Sequence, residues 1–175
     1  VNIGASSFAL GQFKDAVDAY RQAAKIDSDN ADTQYALGLS LGRLGRADEE
    51  ILAYRRALAI KSDYVPAIEQ LGLAFFKQKR HQDALAAFDQ LKTYKPDGKT
   101  YNYIGECLFE LGKPNEALDA FTNAVNFNPE LDRARYNLGR TYLKMGDRDS
   151  AAIQYEYLRT TKSDWADRLY VLLNP

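Results

Sequence analysis

Apolar and polar residues alternate along this chain with a helical beat, and the beat restarts at a fixed interval. Between Gln34 and Gly45, the residues Tyr35, Leu37, Leu41 and Leu44 recur at helix-turn spacing. From Asp48 to Ile60, Ile51, Tyr54 and Leu58 share one face with the small Ala57. Each unit therefore reads as helix, tight turn, helix, and no segment alternates with the period of a strand. Glycine marks the restart, at Gly4, Gly38, Gly72, Gly105 and Gly139, in steps of 34, 34, 33 and 34 residues. A mostly alanine column (Ala16, Glu50, Ala84, Ala117, Ala151) and an aromatic one (Tyr20, Tyr54, Phe88, Phe121, Tyr155) keep the same step. A fixed period of this length signifies a repeat array, in which each unit buries its apolar face against its neighbours. The phase predicts helices over 1–10, 13–26, 31–44, 47–60, 64–78, 81–94, 98–111, 114–127, 131–145, 148–161 and 165–173.

Boundary chemistry agrees. Asp29, Asp63, Asp97 and Asp164 stand just before a predicted helix, where a carboxylate accepts orphan backbone N–H groups. Pro96 and Pro129 close the preceding helices. Pro114 and Pro66 fall in or near a first turn, where a missing N–H costs little. Turn glycines recur at Gly11, Gly45, Gly112 and Gly146, with Lys79 in the remaining place, which predicts a looser turn there. The one short step, between Gly72 and Gly105, falls at the Pro96–Gly98 junction.

Composition narrows the function. The chain of 175 residues is 46% apolar and 27% charged, as expected of an ordered protein, and its formal net charge of −1 argues against nucleic acid as a partner. No apolar run is long enough to span a bilayer, so direct membrane insertion is not expected. The single Cys107 allows no internal disulfide. Val1 falls in mid-helix by the repeat phase, which suggests a piece of something longer. His81, the only histidine, has no metal set or nucleophile near it in sequence and reads as a boundary residue. Cys107 shares its column with Ser6, Ser40, Ala74 and Thr141, all small, and reads as a packing residue rather than a reactive thiol. The glycines are single and form no phosphate loop. No catalytic residue, metal ligand or cofactor site is predicted, and the chain is expected not to be an enzyme.

The pairs Leu37-Gly38, Leu71-Gly72, Ile104-Gly105 and Leu138-Gly139, with the columns of Ala84 and Phe88 and the closing Pro96 or Pro129, resemble the tetratricopeptide (TPR) repeat. The resemblance covers nearly the whole chain: a first unit at 1–30 that lacks its start, then 31–64, 65–97, 98–131 and 132–165, with 166–175 as a capping helix or the start of a sixth unit. It implies an all-α, right-handed superhelical solenoid whose first helices line a concave groove. The departures carry information. The column that is often Trp in the family holds Gln34, Ile68, Tyr101 and Arg135, so packing there is uneven. Glu50 replaces a small residue and is expected at the edge, near Arg46 or Arg43, with a functional buried acid as the lesser reading.

By the same resemblance the groove is lined by stacked columns: Val1, Tyr35, Glu69, Asn102, Tyr136; Ala5, Leu39, Leu73, Glu106, Arg140; Phe8, Gly42, Phe76, Phe109, Leu143; and Ala9, Arg43, Lys77, Glu110, Lys144. Ala5, Phe8, Leu39, Leu73, Phe76 and Phe109 form an apolar strip, read either as a binding surface or as packing along the array. Glu106 is expected beside Arg140 and Glu110 beside Lys144, either as self-neutralising ladders or, with Lys99 and Arg133, as a basic end that attracts an acidic segment. The clamp that some relatives use for chaperone tails is not matched: its places hold Tyr35, Leu39, Gln70, Lys99 and Tyr103, or Glu69, Leu73, Tyr103, Arg133 and Asn137. The implied function is a non-catalytic scaffold that holds a peptide or amphipathic helix of a protein partner in its groove. Alternatives are a regulatory or targeting region of a larger enzyme or membrane-associated assembly protein, and self-association through exposed terminal repeats.

Overall fold

The computed structural model describes residues 2–174, so the Val1 position of the first groove column lies outside the described residues. Among these residues the chain is all-α: α1 (Asn2–Ala9), α2 (Phe13–Ile26), α3 (Ala31–Arg43), α4 (Ala47–Ile60), α5 (Val65–Lys77), α6 (His81–Tyr94), α7 (Gly98–Glu110), α8 (Pro114–Phe127), α9 (Asp132–Lys144), α10 (Arg148–Thr160) and α11 (Trp165–Leu173). Every described helix end lies within one residue of the sequence expectation. The chain divides into two compact units, 1–87 and 88–175, with the division inside α6.

In the first unit, consecutive helices pack as antiparallel pairs around Ala16, Val17, Tyr20, Leu37, Leu41 and Ala53. The repeat glycine explains the close approach of each pair. A Cβ on Gly38 would stand 2.5 Å from the ring of Tyr54, which is wholly buried. The ring fills the space that the missing side chain leaves, and burying it contributes on the order of 2 kcal/mol. In the second unit the same relation joins Gly105 to Phe121, while Phe88 stacks on Tyr103 with centroids 4.8 Å apart. Ala151, Leu158, Ala166, Leu169 and Leu173 form the core at its far end, with Tyr136 and Trp165 packed on them.

The turn at Lys79 is not looser than the others. Its φ of 60° matches the left-handed turn glycines, which range from 72° to 84°. Lys79 N–H donates to Phe76 O and Arg80 N–H to Phe75 O, both at 2.9 Å, the bonding seen at Gly45 and Arg46. Helix packing on either side imposes the turn, and the lysine bears the steric cost of its Cβ.

The short repeat step has a local cause. Three residues (95–97) join α6 to α7, whereas four join α2 to α3, α4 to α5, α8 to α9 and α10 to α11. Asp97 caps α7, accepting the Thr100 N–H at 2.8 Å. Burial works against its charge, but the Thr100 and Lys95 bonds hold its carboxyl below the ordinary range. Gly98 then starts α7 so close to α8 that a Cβ would lie 2.7 Å from Ala124 O.

The column of small residues behaves as packing. Ser40, Ala74, Cys107 and Thr141 are buried, although Ser6 is exposed. The hydroxyls are satisfied within their own helices, Ser40 donating to Ala36 O and Thr141 to Asn137 O. Burial, with Glu106 and Asp89 adding to it, pushes the Cys107 thiol up to about 12, so it stays protonated at neutral pH.

Candidate functional site

The groove columns of the first unit lie on α1, α3 and α5. Ala5 is exposed, while Phe8, Tyr35, Leu39, Glu69, Leu73 and Phe76 are half-buried and Arg43 and Lys77 exposed. The aromatic members are partly engaged already. Phe8 meets Phe13 edge-on at 5.4 Å, and Phe76 meets His81 edge-on at 5.1 Å. Tyr35 lies between Tyr54 and Tyr64, at 5.9 and 5.3 Å, and Tyr64 donates its hydroxyl to Asp32. Leu39 and Leu73 remain as apolar surface flanked by the two cations. His81 is half-buried at the start of α6, with its Nδ1 closed off and unbonded.

Glu50 is not the edge carboxylate the sequence suggests. Arg46 is taken by Glu49, at 2.6 Å, and Glu50 turns inward over Gly42, where a Cβ would meet its Oε1 at 2.5 Å. The Tyr54 hydroxyl donates to it at 3.4 Å. Burial raises its carboxyl above the ordinary range, opposed by Lys77, the Tyr54 hydroxyl and Arg43. Glu50 therefore joins the face made by α3 and α5, and the groove columns omitted it. The signal was present in compensation: Gly42 faces Glu50, whereas Phe76 and Phe109 accompany the alanines Ala84 and Ala117.

In the second unit the columns lie on α7 and α9, and there the arrangement differs from expectation. Asn102 and Glu106 are buried rather than open. Asn137 Nδ2 donates to Asn102 Oδ1 and to Glu106 Oε1, each at 2.9 Å, and Asn102 Nδ2 donates to the same carboxylate at 2.9 Å. Arg133 completes the set as a bidentate partner of Glu106, with contacts of 2.8 and 2.9 Å. Glu106 thus pairs with Arg133 and not with Arg140. Arg140 pairs with Glu110 at 3.3 Å, in the place expected for Lys144. Arg140 and Lys144 both lie over the Phe109 ring, at 4.0 and 4.3 Å from its centroid. Lys99 lies over the Tyr103 ring at 5.6 Å. The proposed basic end is therefore largely neutralised or laid on aromatic faces. Tyr136 packs on Trp165 at 4.9 Å.

Among the described residues no group of three or more His, Cys, Asp or Glu is placed to hold a metal ion, and no helix is long and apolar enough to cross a membrane.

Family comparison matches the TPR repeat over residues 4–45 and 105–146, and the tetratricopeptide repeat over 31–64, 67–97 and 133–161. No curated protein matches the sequence. Several solved structures share the fold. A crystal structure of MamA is 24% identical with a TM-score of 0.85, covering 89% of this chain and 92% of that one. MamA from Desulfovibrio magneticus RS-1, from its residue 41 to the end, is 19% identical with a TM-score of 0.87, covering 92% of each chain.

Proposed function

The chain belongs to the tetratricopeptide repeat family, and from that premise we propose that it is a non-catalytic scaffold which seats a peptide or amphipathic helix of a protein partner on its first-helix face. The repeat division 1–30, 31–64, 65–97, 98–131 and 132–165 belongs to this reading. The observation that carries it is the composition of α5. Its inward side buries Ile68, Leu71 and Phe75, yet its other side is apolar too, with Leu73 and Phe76 half-buried. Large apolar side chains left half-covered on that outer side, between Glu69 and Lys77, offer a surface for a partner. Arg43 and Lys77 beside this surface, with Glu50 and Glu69, supply the polar contacts that fix the direction of a bound segment.

The test is affinity capture of partners, repeated with the double variant Leu73→Glu and Phe76→Glu. Capture is lost while circular dichroism stays helical; undiminished capture refutes the reading. Light scattering of the free chain separates a foreign partner from a second copy, since a monomer at high concentration removes self-association.

A further inference from the structure

A second surface, away from the face made by α3 and α5, goes beyond that reading. Between α2 and α4, with α3 as its floor, the first unit holds a cleft of about 540 Å3. Pockets of this size accommodate a ring together with its flanking residues. Gln34 lies in the floor and is 5% exposed, and its side-chain carbonyl Oε1 accepts no hydrogen bond. A buried acceptor left in this condition has lost its hydration without a hydrogen bond to replace it. Ile60 and Leu52, 38% and 48% exposed, line the same cleft.

The chain itself shows what is missing. The repeat step relates Gln34 to Tyr101 and Ile60 to Phe127. In the second unit those two rings stack, with centroids 5.2 Å apart and planes 19° apart. In the first unit the same two positions hold an amide and an aliphatic side chain, and the space is open. The rim is basic: Arg21, Lys25 and Arg56 line the cleft. The acid Glu49 is already held by Arg21 at 2.7 Å and by Arg46 at 2.6 Å.

We propose that this cleft receives the tryptophan side chain of a short acidic segment of a protein partner. The indole lies against Ile60 as Tyr101 lies against Phe127. Its N–H donates to Gln34 Oε1 once the amide turns toward the opening. Aspartate or glutamate on either side meets Lys25 and Arg56. A ring with a polar handle is the side-chain type that suits a site with an apolar wall and one buried acceptor, and Trp is enriched among residues that anchor interfaces.

The probe is an acetylated, amidated pentapeptide, Asp-Glu-Trp-Glu-Asp, titrated into the isotope-labelled chain while amide resonances are followed. A saturable shift of the Gln34 side-chain amide is expected below about 1 mM. The peptide with alanine in place of tryptophan, and the one with lysines in place of the acids, bind at least about tenfold more weakly, a difference of about 1.4 kcal/mol. Gln34→Tyr supplies the ring from within; it stays helical and loses at least about tenfold in affinity. Should that variant fail to fold, the exposed Arg56→Glu serves instead, with a loss of about tenfold. The variant Leu73→Glu with Phe76→Glu binds this peptide as the unaltered chain does, so failure here and failure of the groove reading are distinct. Absence of a saturable shift at Gln34, equal binding of the alanine or lysine peptides, or undiminished binding by Gln34→Tyr or Arg56→Glu overturns the proposal.

Discussion

Replacing Asn137 by alanine tests whether the polar layer between α7 and α9 holds the second unit together. Asn137 is 3% exposed and gives one hydrogen to Asn102 Oδ1 and one to Glu106 Oε1. After truncation Glu106 keeps Asn102 Nδ2 and Arg133 as donors. Asn102 Oδ1, on a residue 2% exposed, loses its donor. An orphaned buried acceptor costs about 1–3 kcal/mol, and a lost bond to a charged group about as much, so the expected destabilisation is about 3 kcal/mol. Trp165, the only tryptophan, sits 4.9 Å from Tyr136 in the same unit and reports its unfolding by fluorescence in urea. At a slope of about 1–1.5 kcal/mol per molar urea, the midpoint falls by about 2–3 M. Asn102→Ala combined with Asn137→Ala removes the orphaned acceptor as well. The pair should then cost less than the two single losses together, by about 1–2 kcal/mol. A single loss below about 0.5 kcal/mol, or strict additivity, would refute the assigned network.

Three further outcomes are expected. Lys79→Gly relieves the left-handed lysine at the α5–α6 turn and raises stability by about 0.5–1 kcal/mol, read from the denaturation midpoint; a loss would show that the lysine makes a compensating contact. Gly38→Ala drives a Cβ against the enclosed Tyr54 ring and costs about 1–3 kcal/mol. Gly42→Ala meets only the swinging carboxylate of Glu50 and is about neutral, since alanine also gains helix propensity; reversal of that order contradicts the packing described. Glu50→Gln raises the melting temperature near pH 7. Burial raises the Glu50 carboxyl above its unfolded value. Its penalty is therefore fully present above the folded pKa and gone below the unfolded one, about 4.3, so the gain vanishes by about pH 3. A gain that persists in acid would mean that charge is not its cause.

The helices were legible because their determinants are local and repeated. Leu37, Gly38 and Tyr54 recur in phase with their counterparts, so each column confirmed the others, and the burial of Cys107 followed from its neighbours in the same way. Side chains that reach between repeats were not legible. A column states where backbones lie, and pairing within columns put Glu106 beside Arg140, 34 residues on. The observed partner, Arg133, is 27 residues on, and Arg140 instead meets Glu110, 30 residues back. Long side chains cross one or two turns between staggered helices, and their choice is settled by which carboxylate is buried and must be satisfied. Asn137 entered only as an unmatched place of the clamp, one position removed from the expected groove column, and nothing there pointed to Glu106. Lys79 misled for a different reason: turn geometry there is imposed by the packed helices rather than by the residue at the turn.

The layer of Asn102, Glu106, Asn137 and Arg133 also limits how far the repeats can be treated as modules. Duplication and shuffling of units works only where each presents the same surface to any neighbour. The segment 98–131 does not. Were 31–64 placed after it instead of 132–165, Asp32 would stand where Arg133 stands and Ala36 where Asn137 stands. The enclosed Glu106 would then face a second carboxylate and lose one of its two amide donors, keeping only Asn102. These two segments are adapted to their order, so an array rebuilt by recombination must move them together.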